Sequence, residues 1–314
     1  MFNQKLSLMK TVILFLLFFL GVNLQSCSTN NEPVKPDNPE EEIKDDNEGQ
    51  EEEPELPDEQ PGEEDEPSKQ WKLVFTEDFN TFDNSVWTKE THEPGWVNNE
   101  LQEYIEECVS VGKDGDKTVL VLTAKREGDK FYSGRVNSKG KKSFQYGKVE
   151  SSIKLPKTAN GLWPAFWMMG DNDKEWPACG EIDIMEMGEK AGIANNTTEA
   201  YINSAIHYGP DVEGHEQIFQ TKTMEKSLQD GNYHVYSLEW NENELIVKVD
   251  DILIKTFNIG PDSGRFEYFN DKFYFLFNLA VGGDFPGITD PAQITALKDG
   301  EKAQMFIDWV KIYN

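Results

Sequence analysis

The chain has 314 residues and a formal net charge of −28, with 12% aromatic residues and three cysteines. That length suits one large domain or two ordinary ones, and the acidity argues against nucleic-acid phosphate as a partner. The charge is uneven: residues 31–70 carry 18 acids against 3 lysines.

Lys5 and Lys10 precede an apolar run over residues 11–20, which is signal-peptide length and short for a membrane span. The run leads to Leu24-Gln25-Ser26-Cys27, which resembles a bacterial lipobox with Cys27 as the first mature, lipidated residue. Residues 1–26 are therefore expected to be a lipoprotein signal. Residues 27–70 are rich in Pro and Glu and nearly free of apolar side chains, so they bury too little to offset ordering entropy. They are expected to form an extended, disordered tether, leaving residues 71–314 as one domain. The expected setting is an outer-membrane lipoprotein, held to the membrane only by its lipid. Nothing in the sequence calls for more than a monomer. Cys108 and Cys179 remain, and spacing does not decide whether they pair.

From Trp71 onward, short alternating or apolar segments predict strands, separated by Gly, Asn, Asp and Pro. They include 71–80, 118–127, 144–155, 200–209, 233–240, 244–257, 272–281 and 305–314. Long amphipathic helices are missing, with at most one helical turn expected over 223–230. The pattern predicts an all-β fold, a β-sandwich of jelly-roll type with a concave substrate cleft.

The chemistry concentrates in residues 180–186, Gly-Glu-Ile-Asp-Ile-Met-Glu. Alternation puts Glu181 and Asp183 on one face of a strand. Glu186, five residues past Glu181, falls on the opposite face unless a β-bulge at Ile184-Met185 absorbs one residue. Two carboxyls are the minimal apparatus of glycoside hydrolysis. Two glutamates four positions apart have Cα atoms roughly 13 Å apart, a gap that long side chains can narrow. Asp183 between them is expected to hydrogen-bond one glutamate and to bias its protonation. Trp163, Trp167 and Trp176 cluster just before this stretch; core filling is the ordinary fate of such rings. Neighbouring Gly and Pro favour a cleft setting for Trp163 and Trp176. The chain has four histidines but no HExxH, and no nucleophile elbow or phosphate loop, which leaves zinc, serine-triad and nucleotide chemistry without support.

WPACGEIDIMEMG resembles the active-site signature of glycoside hydrolase family 16 in its bulged, laminarinase-like form. NNELQEY, GLWPAFWMMG, YHVYSLEW, NLAVGGDFPG and MFIDWVKIYN resemble that family in the same order. The resemblance implies a retaining endo-acting polysaccharide hydrolase with no catalytic cofactor. It implies Glu181 as nucleophile, Glu186 as general acid/base and Asp183 as assisting carboxylate. Asn98, Arg135, Trp163, Trp167 and Asn278 match sugar-contacting positions; His207 matches a histidine near the leaving group, and Trp176 is a further cleft candidate. A structural Ca2+ is implied at Asp78 and Asp308. Met185 and Ala280 side with the β-1,3-glucan branch, whose members cleave laminarin and often mixed-linkage β-1,3-1,4-glucan. Agarase- or carrageenase-type galactan hydrolysis, and non-catalytic glucan binding, are the alternatives.

Overall fold

The computed structural model describes residues 70–314. Cys27 and the segments expected as signal and tether, up to residue 69, lie outside the described residues. The strands, in chain order, begin with β1 (Leu73–Glu77), β2 (Thr88–Lys89), β3 (Gln102–Tyr104), β4 (Val109–Asp114), β5 (Lys117–Glu127) and β6 (Lys130–Ser133). There follow β7 (Arg135–Asn137), β8 (Ser143–Phe144), β9 (Gly147–Lys154), β10 (Leu162–Gly170), β11 (Glu181–Met187) and β12 (Tyr201–Tyr208). The last are β13 (Glu216–Thr223), β14 (His234–Trp240), β15 (Glu244–Val249), β16 (Ile252–Asn258), β17 (Phe273–Val281) and β18 (Lys302–Tyr313).

They form two sheets. The back sheet runs β16-β15-β14-β9-β18-β5-β6-β3, with β1 on β18 and β4 on β5. The front sheet runs β13-β12-β11-β10-β17-β7-β2, with β8 on β17. Pairing is antiparallel except between β3 and β6, and Leu73 opposite Tyr313 joins the first strand to the last. This is the expected all-β sandwich.

Period-two alternation fills the space between the sheets. Leu162, Phe166 and Met168 of β10 meet Phe273, Phe275, Phe277 and Leu279 of β17 in the core, with Phe166 stacked on Phe277 at 4.6 Å. The back sheet answers with Tyr236, Leu238 and Trp240 of β14 and Met305, Ile307 and Val310 of β18. Each such side chain contributes ~1.5–3 kcal/mol by burial, more than an exposed ion pair supplies.

Several details depart from the sequence expectations. Segment 244–257 is two strands, because Asp250 (φ 47°) and Asp251 (φ 64°) turn the chain between β15 and β16. Segment 144–155 also divides: Phe144 belongs to the front sheet and β9 to the back. Residues 223–230 contain no helix. Gln229 is buried there, tied to Thr158 and the Thr198 carbonyl, and these bonds hold the segment in an irregular path. The helical segments are short, as at Lys190–Ala194 and Phe266–Phe269. Cys108 and Cys179 are both buried and unpaired, and burial pushes each thiol up to about 11.

Candidate active site

Strand β11 carries the bulge. Asp183 is opposite Ala205 of β12 but Glu186 is opposite Asn203, and the register against β10 shifts at the same place. Ile184 and Met185, adjacent in sequence, both point into the core and are fully buried. Two consecutive inward residues restore Glu186 to the face of Glu181 and Asp183. Gly180 opens the strand at φ +82°, where a Cβ would lie 2.3 Å from the Tyr268 carbonyl oxygen. Only glycine fits there.

Register carries this arrangement across the sheet. Asn203, Glu186, Ala165, Asn278 and Arg135 stand in one row, on five successive strands. Ala205, Asp183, Trp167 and Leu276 form the next row, and His207, Glu181, Met169 and Tyr274 the one after. The acids therefore sit mid-sheet, with a cleft lobe on each side, of about 560 Å³ and 550 Å³. The first lobe is lined by Trp96, Arg135, Trp167, Tyr274 and Asn278, and the second by Asn203, Ala205, His207, His215 and Phe219. Asn98, Trp163, Trp176 and the three acids line both.

Each glutamate is held by a tryptophan. Trp176 Nε1 donates to Glu181 Oε2 at 3.1 Å, and Trp163 Nε1 donates to Glu186 Oε1 at 3.0 Å. Trp163 also stacks on Phe285 at 4.8 Å. Trp167 Nε1 donates to Asn278 Oδ1 at 2.7 Å. All three rings face the cleft rather than filling the core. Asp183 does not hydrogen-bond a glutamate. Its Oδ2 lies 3.3 Å from His207 Nε2, a charge contact without aligned hydrogen-bond geometry. His207 Nε2 is also 3.9 Å from Glu181 Oε1, and its Nδ1 lies 2.9 Å from Nε2 of His215.

Burial pushes Glu181 up to about 8, reinforced by the charge of Asp183 and opposed by His207 and the Trp176 hydrogen bond. Burial likewise raises Asp183 to about 8, and carries Glu186, beside Asp183, well above the carboxylate range. Three carboxyls so close together, Asp183 buried and both glutamates half-buried, do not all ionise at neutral pH. His207 faces Asp183 and Glu181, and its charge opposes the rise at Glu181 and at Glu186 alike. One donor atom each from Glu181, Asp183 and His207 lies within 4.8 Å of the others, a spacing that their shared charge contacts already explain.

Arg135 is buried, ion-paired through Nε to Glu90, with its guanidinium 4.9 Å from the Trp167 ring and 5.2 Å from the Trp96 ring. Burial alone would raise Glu90, but Arg135 holds it below the usual range. Asn98, at φ 52°, is exposed at the junction of the lobes.

Asp78 and Asp308 are not in the cleft. Asp78 is exposed and accepts a hydrogen bond from the Asn80 amide within its own turn, while Asp308 is ion-paired to Lys117. A cation at Asp308 would have to displace that ammonium group, so these side chains fit the implied calcium poorly.

Sequence reasoning missed Glu90, Trp96, His215 and Phe219. Trp96 carried a usable signal, since Pro94-Gly95 flank it as glycine and proline flank Trp163 and Trp176.

A two-sheet sandwich whose face holds paired, hydrogen-bonded carboxyls in an aromatic-lined cleft has the construction of a glycoside hydrolase. The comparisons agree. The model of glycosyl hydrolases family 16 matches residues 102–311, and the chain belongs to that family. A model of beta-glucan synthesis-associated protein SKN1/KRE6/Sbg1 matches residues 11–175, ending before the acidic strand. The clotting factor G alpha subunit of Tachypleus tridentatus is 34% identical over 78% of this chain, which spans only 34% of that protein's length. The beta-glucanase of Rhodothermus marinus is 31% identical over 77% of this chain and 85% of its own. Among solved structures, a Bacteroides ovatus mixed linkage glucan PUL GH16 in complex with G4G4G3G product is 64% identical. Its TM-score is 0.74, covering 76% of this chain and 99% of that one.

Proposed function

We propose that the chain is a retaining endo-hydrolase of β-glucan, acting on mixed-linkage β-1,3-1,4-glucan and on β-1,3-glucan. The observation that carries this reading is the bulged β11, which turns Glu181, Asp183 and Glu186 to one face with an indole N–H on each glutamate. The product carried by the 64%-identical Bacteroides ovatus structure supports the mixed-linkage preference.

In this mechanism Glu181 attacks the anomeric carbon as Glu186 protonates the departing glycosidic oxygen, giving a glycosyl ester and a free chain end. Glu186, now ionised, takes a proton from water; the water oxygen attacks the anomeric carbon and Glu181 is released with net retention. His207 balances charge beside Glu181 and Asp183, and Arg135 and Asn278 orient sugar hydroxyls on the other side.

The test is incubation with barley glucan, lichenan, laminarin, agarose and carrageenan, with product linkage and first-formed anomer read by NMR. Cleavage of the glucans with β-anomer formed first is expected. Activity confined to the galactans, or an α-anomer formed first, overturns the reading.

The sequence further supports a monomeric enzyme anchored through lipidated Cys27 and displayed on an acidic tether. Mass spectrometry of the N-terminal peptide tests the lipid, and C27S should release the protein from membranes.

A further inference from the structure

His215 has no part in the chemistry described above, yet it touches both groups that hold Glu181. It lies in the loop between β12 and β13, one residue short of the ladder that ends with Tyr208 opposite Glu216. Gly209, at φ +139°, lets the chain turn there; a Cβ on it would lie 2.3 Å from the Gly214 carbonyl oxygen. The Gly214 amide donates to Asp211 Oδ1 at 2.8 Å, which closes the loop on itself. The turn sets the His215 and His207 rings within 9° of parallel, their centroids 5.1 Å apart. The Trp176 ring is 4.7 Å from that of His215 on another side. His207 Nε2 reaches Glu181 and Asp183, and Trp176 Nε1 donates to Glu181. His215 is thus packed against both supports of the nucleophile.

The 2.9 Å hydrogen bond between His207 Nδ1 and His215 Nε2 has two workable states, because one hydrogen must lie between the rings. His207 Nε2 faces two carboxyls and carries its hydrogen toward them. In a neutral His207 the Nδ1 is therefore bare and accepts from His215 Nε2–H. In a charged His207 both nitrogens carry hydrogen, so Nδ1–H donates and His215 Nε2 must be bare. His215 is then neutral, with its hydrogen on Nδ1. The two rings cannot be charged together, since two N–H groups would face each other across the bond. Burial, with the charge of His207, holds His215 below the usual imidazole range, in keeping with its neutrality.

We propose that His215 is a positioning residue that lets His207 take up positive charge without turning its ring. The proton on His215 Nε2 passes to His207 Nδ1, and His215 Nδ1 takes one from solvent. The net change is one proton gained, with the charge placed on His207 beside the acids. That charge opposes the rise at Glu181 and Glu186, so it favours an ionised nucleophile. The titratable groups facing His207 are Glu181 and Asp183 of β11 and His215, with Glu186 acting from further along β11. Gln217, opposite His207 on β13, is uncharged. The inference rests on the hydrolase reading above.

The test separates this role from sugar contact, since His215 also lines the cleft. Wild type, H215F and H215Q would be assayed across pH on barley glucan and on an aryl β-glucan oligosaccharide, whose phenol leaving group brings no sugar beyond the acids. H215F keeps a ring against Trp176 and His207 but removes the nitrogen, whereas H215Q keeps an acceptor near the place of Nε2. On both substrates H215F should move the acidic limb of kcat/KM to higher pH by about one unit, about a tenfold loss on that side. On the polymer, where Glu186 must donate a proton, the alkaline limb should rise as well. H215Q should bring the limbs back toward wild type. Limbs unmoved in H215F, or a loss confined to the polymer, would overturn the proposal. Nitrogen NMR of the imidazoles needs no variant: His215 should carry its hydrogen on Nδ1 whenever His207 carries two. A His215 tautomer that stays fixed while His207 gains its proton overturns the proposal too. Failure of wild type to cleave either substrate would instead remove the hydrolase reading beneath it.

Discussion

Trp163 and Glu186 lie on neighbouring strands and are joined by a 3.0 Å hydrogen bond from indole Nε1 to Oε1. The equivalent bond from Trp176 serves Glu181. Each favours the ionised carboxylate and so lowers its pKa. Removing them should act on opposite limbs of the pH profile. W163F should raise the pKa of Glu186 and move the alkaline limb of kcat/KM to higher pH, because the acid keeps its proton longer. W176F should raise that of Glu181 and move the acidic limb upward, narrowing the profile. Shifts on the same limb would refute the division of roles.

The roles themselves are open to chemical rescue. E186A should lose on the order of 10²–10⁴ in turnover on polymer. On an aryl glycoside, whose phenolate departs without a proton, azide should restore turnover by attacking the glycosyl ester from the face water would use, yielding a β-glycosyl azide. E181Q should not be rescued in this way. An α-azide from E186A would show that no covalent ester on Glu181 intervenes.

The acid cluster costs stability. Its three carboxyls are raised in the folded state, Glu181 and Asp183 to about 8. Unfolded carboxyls ionise near 4. Between about pH 4 and 8 the folded chain therefore holds more protons than the unfolded chain, and stability falls as pH rises through that window. D183N removes one of these groups and the repulsion it exerts on both glutamates. Its Tm at pH 7 should exceed wild type by about 2–4 °C per kcal/mol relieved, with a smaller difference at pH 4. Calorimetry at the two pH values checks both the sign and the window.

Deleting Met185 should straighten β11 and leave Glu186 four residues from Glu181, still facing the cleft. Some activity should persist. Loss of a fully buried methionine should nonetheless cost about 2–5 kcal/mol, seen as a lower denaturant midpoint. Inserting one residue at the same place should leave Glu186 six residues from Glu181, on the cleft face of a regular strand but about 7 Å further along it than the deletion leaves it, and should abolish turnover. An active insertion variant would show that the separation of the two glutamates along the strand is not what matters.

Arg135 should not tolerate lysine. Its planar guanidinium lies against Trp167 and Trp96 while pairing with Glu90, a combination an ammonium group cannot reproduce. R135K should raise KM about tenfold with a smaller change in kcat, measured on barley glucan.

Much of this was legible in the sequence because strand faces follow parity. Alternation alone put Glu181 with Asp183, and the bulge accounts for Glu186. Parity does not reveal which strands become neighbours. Asn278 faces Arg135 across 143 positions of chain, and Glu90 meets Arg135 from just past a strand of only two residues. His215 lies in a loop after β12, and only the return of the chain into β13 brings it to His207. Residues 223–230 misled for a related reason: a local pattern suited to a turn of helix is outweighed by the buried bonds of Gln229.

The two unpaired cysteines bear on how the protein can be made. Cys108 and Cys179 are enclosed by the core and hold their protons tightly, so neither is a ready nucleophile toward glutathione or peroxide. The domain has no crosslink to acquire after synthesis. Its maturation should require no oxidase or isomerase, and a reductant should leave its melting curve unmoved. The same fold is available whether the chain matures in a reducing cytosol or in an oxidising envelope.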